Sequence, residues 1–423
     1  MASQDAAQKV PLGNRATDSA TGTGNVFIGL SLVLWTLICV FALLEIGANL
    51  YVVYLADDDV SVRFASFRQL VKRAGTPNAL RWAHHRYLGY YPAPNFQDGG
   101  IEHNPLGYRG KEIVLPKPDN EFRIVCMGGS TTYDDSLDYC QTYPALLEDQ
   151  LREEGYNVTI VNAGVDAWAS YEILIALAFR VSYLDADMIV LYSGLNDFAS
   201  RIVWPPEAYK GDNSGTRPAF PSFLDAGIWE HSTLLRIILV SWGGAEPISS
   251  LFLTWDSSSS SNHFFDFIYQ IRAGTYPSGV FAQAPLRQIL EQNPPLYFSR
   301  NLEHIVAIAR ERNMGVILAT FAYANTAKGL KRSFGIDERR ADVAKDVMWG
   351  IEQMNGVIRR VAAKTDADLF DFAKVFPNDL DYYFDGVHNN ERGAALKAQL
   401  FARFICESHV IPERFRNFGA RAN

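Results

Sequence analysis

Only four cysteines are spread over the 423 residues, and none sits in a CxxC pair or in a Cys/His spacing suited to zinc. A disulfide framework and a structural metal site are therefore not expected. Cys39 lies in an apolar run and Cys126 in a strand-like one, so both read as small buried hydrophobes, whereas Cys140 and Cys406 could pair only if the fold brought them together. A long basic run is also missing, and the net charge is −8, from 39 Lys+Arg against 47 Asp+Glu. That balance speaks against a surface built for nucleic-acid phosphates. There is no GxGxxG, no Walker A loop, no HExxH and no G-x-S-x-G elbow, so dinucleotide, nucleotide, zincin and α/β-hydrolase chemistry lack their motifs. No cofactor and no metal is called for. What remains is ordinary for a folded chain, with 48% hydrophobic and 20% charged residues and a length that fits one large domain with appendages, or two domains.

Charge is absent altogether from Val26 to Leu44 (VFIGLSLVLWTLICVFALL). At ~1.5 Å per residue this run spans about 28 Å, close to the hydrocarbon thickness of a bilayer. A transmembrane helix is expected, with Glu45 at the interface, apolar character continuing to Ala56, and a bilayer as partner through residues 26–56. Its length and the lack of an A-x-A site disfavour a cleaved signal peptide. Residues 1–25, rich in Ala, Thr, Gly and Ser, read as a disordered tail. Lys9 and Arg15 precede the helix while Arg63, Arg68, Lys72 and Arg73 follow it. Charge counting therefore leans toward the opposite orientation from a cytoplasmic N-terminus, but a following domain of this size crosses largely regardless of charge.

From Phe122 the pattern alternates strands and helices. FRIVCMG, NVTIVNAGV (157–165), DMIVLYSG (187–194), GVILATFAY (315–323) and ADLFDFA (367–373) read as strands, with helices expected near 143–154, 171–184, 301–312 and 337–364 and from about Glu391. This order predicts an α/β fold, a flavodoxin-like doubly wound five-stranded parallel sheet. In such sheets the site lies beyond the carboxyl ends of the strands. Four segments fall there: Gly128-Gly129-Ser130-Thr131, Asn162-Ala163-Gly164, Gly194-Leu195-Asn196-Asp197 and Asp385-Gly386-Val387-His388.

Ser130 is a candidate nucleophile, which needs a base to remove its proton; GGST by itself is also a common helix-capping turn. His388 is the candidate base, with Asp385 three residues earlier to orient it, although the same pair could simply cap the last helix. Tyr383 and Phe384 are placed to shield the pair from water. Gly164 and Ser130 offer backbone N–H groups and Asn196 a side-chain amide for a developing oxyanion, while NAG and GLND are also ordinary turn formers. Asp134, Asp135 and Asp138 read as a solvated acidic loop rather than a Ca²⁺ site.

Taken in order, Ser130, Gly164, Asn196 and His388, with Asp385, resemble the signature of the SGNH/GDSL hydrolase family over about Phe122 to Glu407. The resemblance implies the SGNH hydrolase fold, a catalytic triad Ser130, His388 and Asp385, and an oxyanion hole of Ser130, Gly164 and Asn196. Gly129 stands where the family often has an acidic residue (GDS). The GGST block and NPLGYRG (104–110), expected as an extended arm before the first strand, are similar to membrane-anchored bacterial members. The function so implied is a serine esterase cleaving an O-acyl ester on a carbohydrate or lipid through an acyl-enzyme, anchored in a bacterial inner membrane with its catalytic domain periplasmic. An O-acyltransferase of an envelope polysaccharide, or a non-catalytic scaffold of an envelope complex, is the alternative. The oligomeric state is left open. Expected domains are the tail 1–25, the anchor 26–56, a juxtamembrane segment and arm 57–121, a hydrolase domain 122–407 and a tail 408–423. An aromatic-rich insertion, 198–295, interrupts the hydrolase domain and holds Trp204, Trp229, Trp242, Trp255 and five serines at 257–261. Within it LLRIILV (234–240) reads as a short apolar helix or strand, either a cap over the site or a membrane-facing patch.

Overall fold

The computed structural model describes residues 19–66, 68–70, 81–85, 87–211, 227–245, 247–248 and 263–416. The chain forms two compact units, one of Met1–Ser66 with Ala226–Ile248, the other of Phe67–Asp225 with Ser249–Asn423. Trp255 and the serine run lie outside the described residues, as do residues 1–18 of the expected tail.

The larger unit is built on five parallel strands, β1 (Phe122–Gly128), β2 (Val158–Gly164), β3 (Met188–Tyr192), β4 (Gly315–Ala319) and β5 (Asp368–Phe370). Their spatial order is β2-β1-β3-β4-β5, the flavodoxin-like arrangement. β1 is buried at every residue, which is why it reads as an unbroken apolar run: a parallel sheet covered on both faces leaves no solvent side to alternate with. The helix Tyr143–Glu153 packs with Glu391–Glu407, and Leu296–Glu311 packs with both Ser170–Phe179 and Ala341–Thr365. Right-handed crossovers require these two groups, because winding reverses between β2 and β3.

Register aligns the strand ends that matter. Gly128 pairs with Gly164 on one side and with Tyr192 on the other, so the segments after β1, β2 and β3 emerge side by side. The outer edge of β2 is met by the arm at one point, where the Arg109 N–H donates to Asn162 O at 3.2 Å, and by the C-terminal segment, where the Asn157 N–H donates to Phe415 O at 2.7 Å. The segment after residue 407, expected as a tail, thus packs down as far as Phe415, which is buried.

Strands β3, β4 and β5 end earlier than their apolar runs suggest. Gly194 turns the chain at φ 149°, and the Asn355 side chain accepts from Phe321 N (2.7 Å) and donates to Phe321 O (3.0 Å), drawing the backbone after β4 out of the ladder. The later part of the insertion joins the core through Phe267, Phe281, Ile289 and Leu290. Arg201 ties it down, donating to Asn293 O (2.7 Å), Leu290 O (2.8 Å) and Gln353 Oε1 (2.7 Å).

The smaller unit holds the N-terminal helix, Ser19–Leu50, continued by a π-helical turn at Tyr51–Leu55. The helix starts seven residues before the expected anchor. Phe27–Leu55 has mean hydropathy 2.6 over its most apolar window and is long enough to cross a membrane. The predicted apolar segment of the insertion is a helix, Thr233–Trp242, and belongs to this unit.

Candidate active site

β1 delivers Gly128 and Gly129 to the start of a four-residue helix, Ser130–Tyr133, so Ser130 stands at its first position. A Cβ on Gly129 would lie 2.5 Å from Asn196 Nδ2, and one on Gly164 would lie 2.3 Å from the Tyr133 backbone nitrogen. Gly164 is walled in by backbone and has no room for a side chain, whereas at Gly129 the nearest atom is the end of the Asn196 side chain, which a Cβ would displace.

The structure brings Ser130, His388 and Asp385 into one line. His388 Nε2 is 2.8 Å from Ser130 Oγ, and His388 Nδ1 is 2.8 Å from Asp385 Oδ2. Asp385 Oδ1 accepts from the backbone N–H groups of Val387 (2.9 Å) and His388 (2.8 Å), so the three-residue loop that carries the pair also fixes the carboxylate. Burial pushes the Asp385 carboxyl up, but the His388 hydrogen bond and charge, with those two N–H groups, bring it down to about 2. Burial lowers the His388 imidazolium, and the Asp385 hydrogen bond and charge, joined by Asp134 and Asp135, outweigh it and leave His388 raised. Tyr383 beside them is buried, whereas Phe384 is exposed.

The three proposed donors are placed differently. No described group accepts the Ser130 N–H. Asn196 Nδ2 donates one hydrogen to Trp168 O at 2.8 Å, which orients the amide and leaves the second hydrogen unassigned. The Gly164 N–H is directed to Asn162 Oδ1 at 3.0 Å, and Asn162 Nδ2 donates to Thr132 O at 2.9 Å.

Further residues surround this line, some of them in segments the sequence marked for other reasons. Asp134 is not part of a solvated loop: it is buried at φ 61° with Oδ1 unpartnered among the described residues. Asp135 is exposed and pairs with Arg81 at 3.4 Å, and Asp138 is exposed as expected. Behind the nucleophile helix, Lys397 is wholly buried, donates to Thr131 O at 2.9 Å and lies over the rings of Tyr143 (3.9 Å) and Tyr192 (3.7 Å). Burial raises the Asp134 carboxyl and lowers the Lys397 ammonium. Asp197, next to Asn196, accepts from Ser170 N and Oγ and from Ser193 Oγ, fixing the start of the helix after β2. Burial pushes its carboxyl up to about 7. The arm is more than an extended lead-in, since Arg109 is buried with its guanidinium 4.7 Å over the Tyr133 ring. Asp134, Asp197 in GLND and Arg109 in NPLGYRG lay in segments the sequence marked, though not for these placements; Lys397 sits in an ordinary helical pattern and its burial is a tertiary fact.

A hydroxyl bonded to an imidazole, itself bonded to a carboxylate, can make an alkoxide-like nucleophile at neutral pH. A family model, the GDSL-like lipase/acylhydrolase family, matches residues 126–396. No curated protein matches the chain. Among solved structures, a GDSL-like lipase from Bacteroides thetaiotaomicron is similar at 15% identity and TM-score 0.36, covering 70% of this chain and 93% of its own. A lipase/acylhydrolase from Enterococcus faecalis is similar at 17% identity and TM-score 0.36, covering 68% and 96%. A catalytic mutant of an acetylxylan esterase from Geobacillus stearothermophilus is similar at 14% identity and TM-score 0.37, covering 67% and 94%. With the match spanning well over half of its length, the chain belongs to the GDSL-like lipase/acylhydrolase family.

Proposed function

We propose that the protein is a membrane-anchored serine esterase that cleaves an O-acyl ester of a carbohydrate or lipid through an acyl-enzyme. The observation that carries this reading is the unbroken line from Ser130 Oγ through His388 to Asp385, with both contacts at 2.8 Å. Ser130 Oγ attacks the ester carbonyl while His388 Nε2 takes its proton; the C–O bond breaks and the same proton goes to the leaving alcohol. Water, activated by His388, then releases the acid and restores Ser130. Asp385 holds the imidazole in the required tautomer and stabilises its charged form.

The Ser130 N–H and the second Asn196 hydrogen support the oxyanion. The Gly164 N–H contributes by being shared between Asn162 Oδ1 and the oxyanion. The apolar stretch Phe27–Leu55 supports a single membrane span; the hydrolase unit is placed, as part of this proposal, on the periplasmic side of a bacterial inner membrane.

The test is labelling with a fluorophosphonate, which forms a covalent adduct with an activated serine. Wild type labels, and Ser130→Ala and His388→Ala do not. A folded wild type that stays unlabelled would sink the enzyme reading and favour a scaffold. Hydrolysis and transfer to a sugar hydroxyl share the same acyl-enzyme, and release of free acid in the presence of an acceptor separates them.

A further inference from the structure

The single charge in Phe27–Leu55 is Glu45, far inside an apolar helix. At ~1.5 Å per residue those 29 residues are about 43 Å long, more than the roughly 30 Å of hydrocarbon, so Glu45 falls toward the end of the span where a bare carboxylate is costly. It is not bare. Its Oε2 accepts from Ser232 Oγ (2.7 Å) and Leu234 N (2.9 Å), and its Oε1 accepts from Thr233 N (2.7 Å). One turn on, Asn49 Nδ2 donates to Thr233 Oγ1 at 3.2 Å. The N-terminus of the helix Thr233–Trp242, with its unsatisfied N–H groups and positive dipole end, is thereby fastened to the anchor helix through the Glu45 carboxylate.

This ten-residue helix has its polarity inverted. Its only charged residue, Arg236, turns inward and is buried, donating to Phe64 O (2.9 Å), to Thr233 Oγ1 (2.9 Å) and to Glu230 O. Among the exposed positions Ile238 (45%), Trp242 at the C-terminal end (84%) and Ile228 before the helix (89%) are apolar, beside the polar Ser241 and His231. A water-facing helix places charge outside and apolar groups inside; a helix surrounded by lipid does the reverse and satisfies its polar groups internally. The exposed Trp242 suits the membrane–water boundary.

We propose that Thr233–Trp242 is a second lipid-embedded element, lying among the acyl chains of one leaflet against the anchor helix and held there by Glu45. The occupant of its outer face is the bilayer, because the helix it is bonded to is itself the apolar proposed span, exposed along its length. The inference rests on the membrane span proposed above and extends it to a segment that the chain order places inside the hydrolase sequence.

The experiment uses the full chain in lipid nanodiscs, with Cys39→Ser, Cys140→Ser and Cys406→Ser and with Cys126 left in place because it is wholly buried. A single cysteine carrying an environment-sensitive nitrobenzoxadiazole dye is introduced as Ile238→Cys, Leu34→Cys in the anchor, or Tyr269→Cys, which is 73% exposed in the hydrolase unit. Quenching by doxyl groups on the lipid acyl chains is compared with quenching by aqueous iodide. The expected result is a loss of fluorescence with doxyl lipid at positions 34 and 238 and with iodide at 269. Doxyl quenching at 34 but iodide quenching at 238 would overturn the inference and leave the anchor standing. Shielding of 238 from both quenchers would mean that protein covers the face, which also overturns it. Iodide quenching at both 34 and 238 would remove the anchor and the inference together.

Discussion

Asn196 holds one amide hydrogen on Trp168 O and, in the proposed mechanism, gives the other to the oxyanion, so Asn196→Ala should lower kcat by about 10² to 10³, the usual scale for one preorganised oxyanion donor. Steady-state kinetics on a small acetyl ester check this, and a wild-type kcat in the variant would move the oxyanion hole elsewhere. The pH profile follows from His388, which must be neutral to act as base. Because Asp385, Asp134 and Asp135 hold its pKa above the ordinary 6.5, the acidic limb of kcat/KM should lie above that pH. Asp385→Asn removes the largest raising contribution, so the limb should move to lower pH while the rate falls. A limb that stays in place would show that the titrating group is not this imidazole. The sequence made these residues legible because each is a chemically distinctive type in a connecting segment, Asn196 just after β3 and Asp385 and His388 in the loop between β5 and the last helix. Asp134 was misplaced for the converse reason: three aspartates in five residues look solvated in any one-dimensional view, and only the left-handed backbone at φ 61° turns the first of them inward.

The C-terminal helix Glu391–Glu407 is bonded to the nucleophile turn by Lys397, which donates to Thr131 O. Lys397→Met keeps the volume but takes away the largest opposing charge acting on the buried Asp134 carboxyl, although no direct ion pair joins the two, and should lower stability. Pairing it with Asp134→Asn removes that carboxyl, so the double variant should be more stable than Lys397→Met alone. Denaturant midpoints decide this, and strictly additive losses would mean the two groups do not interact. Elements were legible where one principle dominated. β1 is read to the residue because a fully buried parallel strand must be apolar throughout, and the last helix begins at Glu391 because Asn390 accepts from Gly393 N at 3.0 Å, a local cap. The shortened β4 was not legible, since the Asn355 side chain that captures Phe321 comes from a helix 34 residues further along.

On the scale of the molecule, His263 N donates to Ile202 O at 2.8 Å, so the chain that leaves the hydrolase core near residue 202 is back beside it at 263. Replacing residues 212–262 by a short flexible linker should therefore preserve hydrolysis of a small soluble acetyl ester while weakening action on a membrane-associated substrate. Loss of both in a folded variant would show that the replaced segment helps build the site. A periplasm-active reporter fused after Asn423 should be active and a cytoplasm-only reporter silent, and the reverse pattern would invert the proposed orientation. How the insertion divides between the two units was not legible from its tryptophans; it is decided by Glu45, some 190 residues earlier in the chain than its partners. Finally, the two backbone contacts on the outside of β2, from Arg109 and from Phe415, have a meaning beyond local packing. An uncovered border strand is a template on which another chain can add itself, and here its open hydrogen-bonding groups are met by segments from both ends of the hydrolase fold. Trimming the chain before Pro412 would unmask one of them, and the cost would show first as concentration-dependent aggregation rather than as lost catalysis.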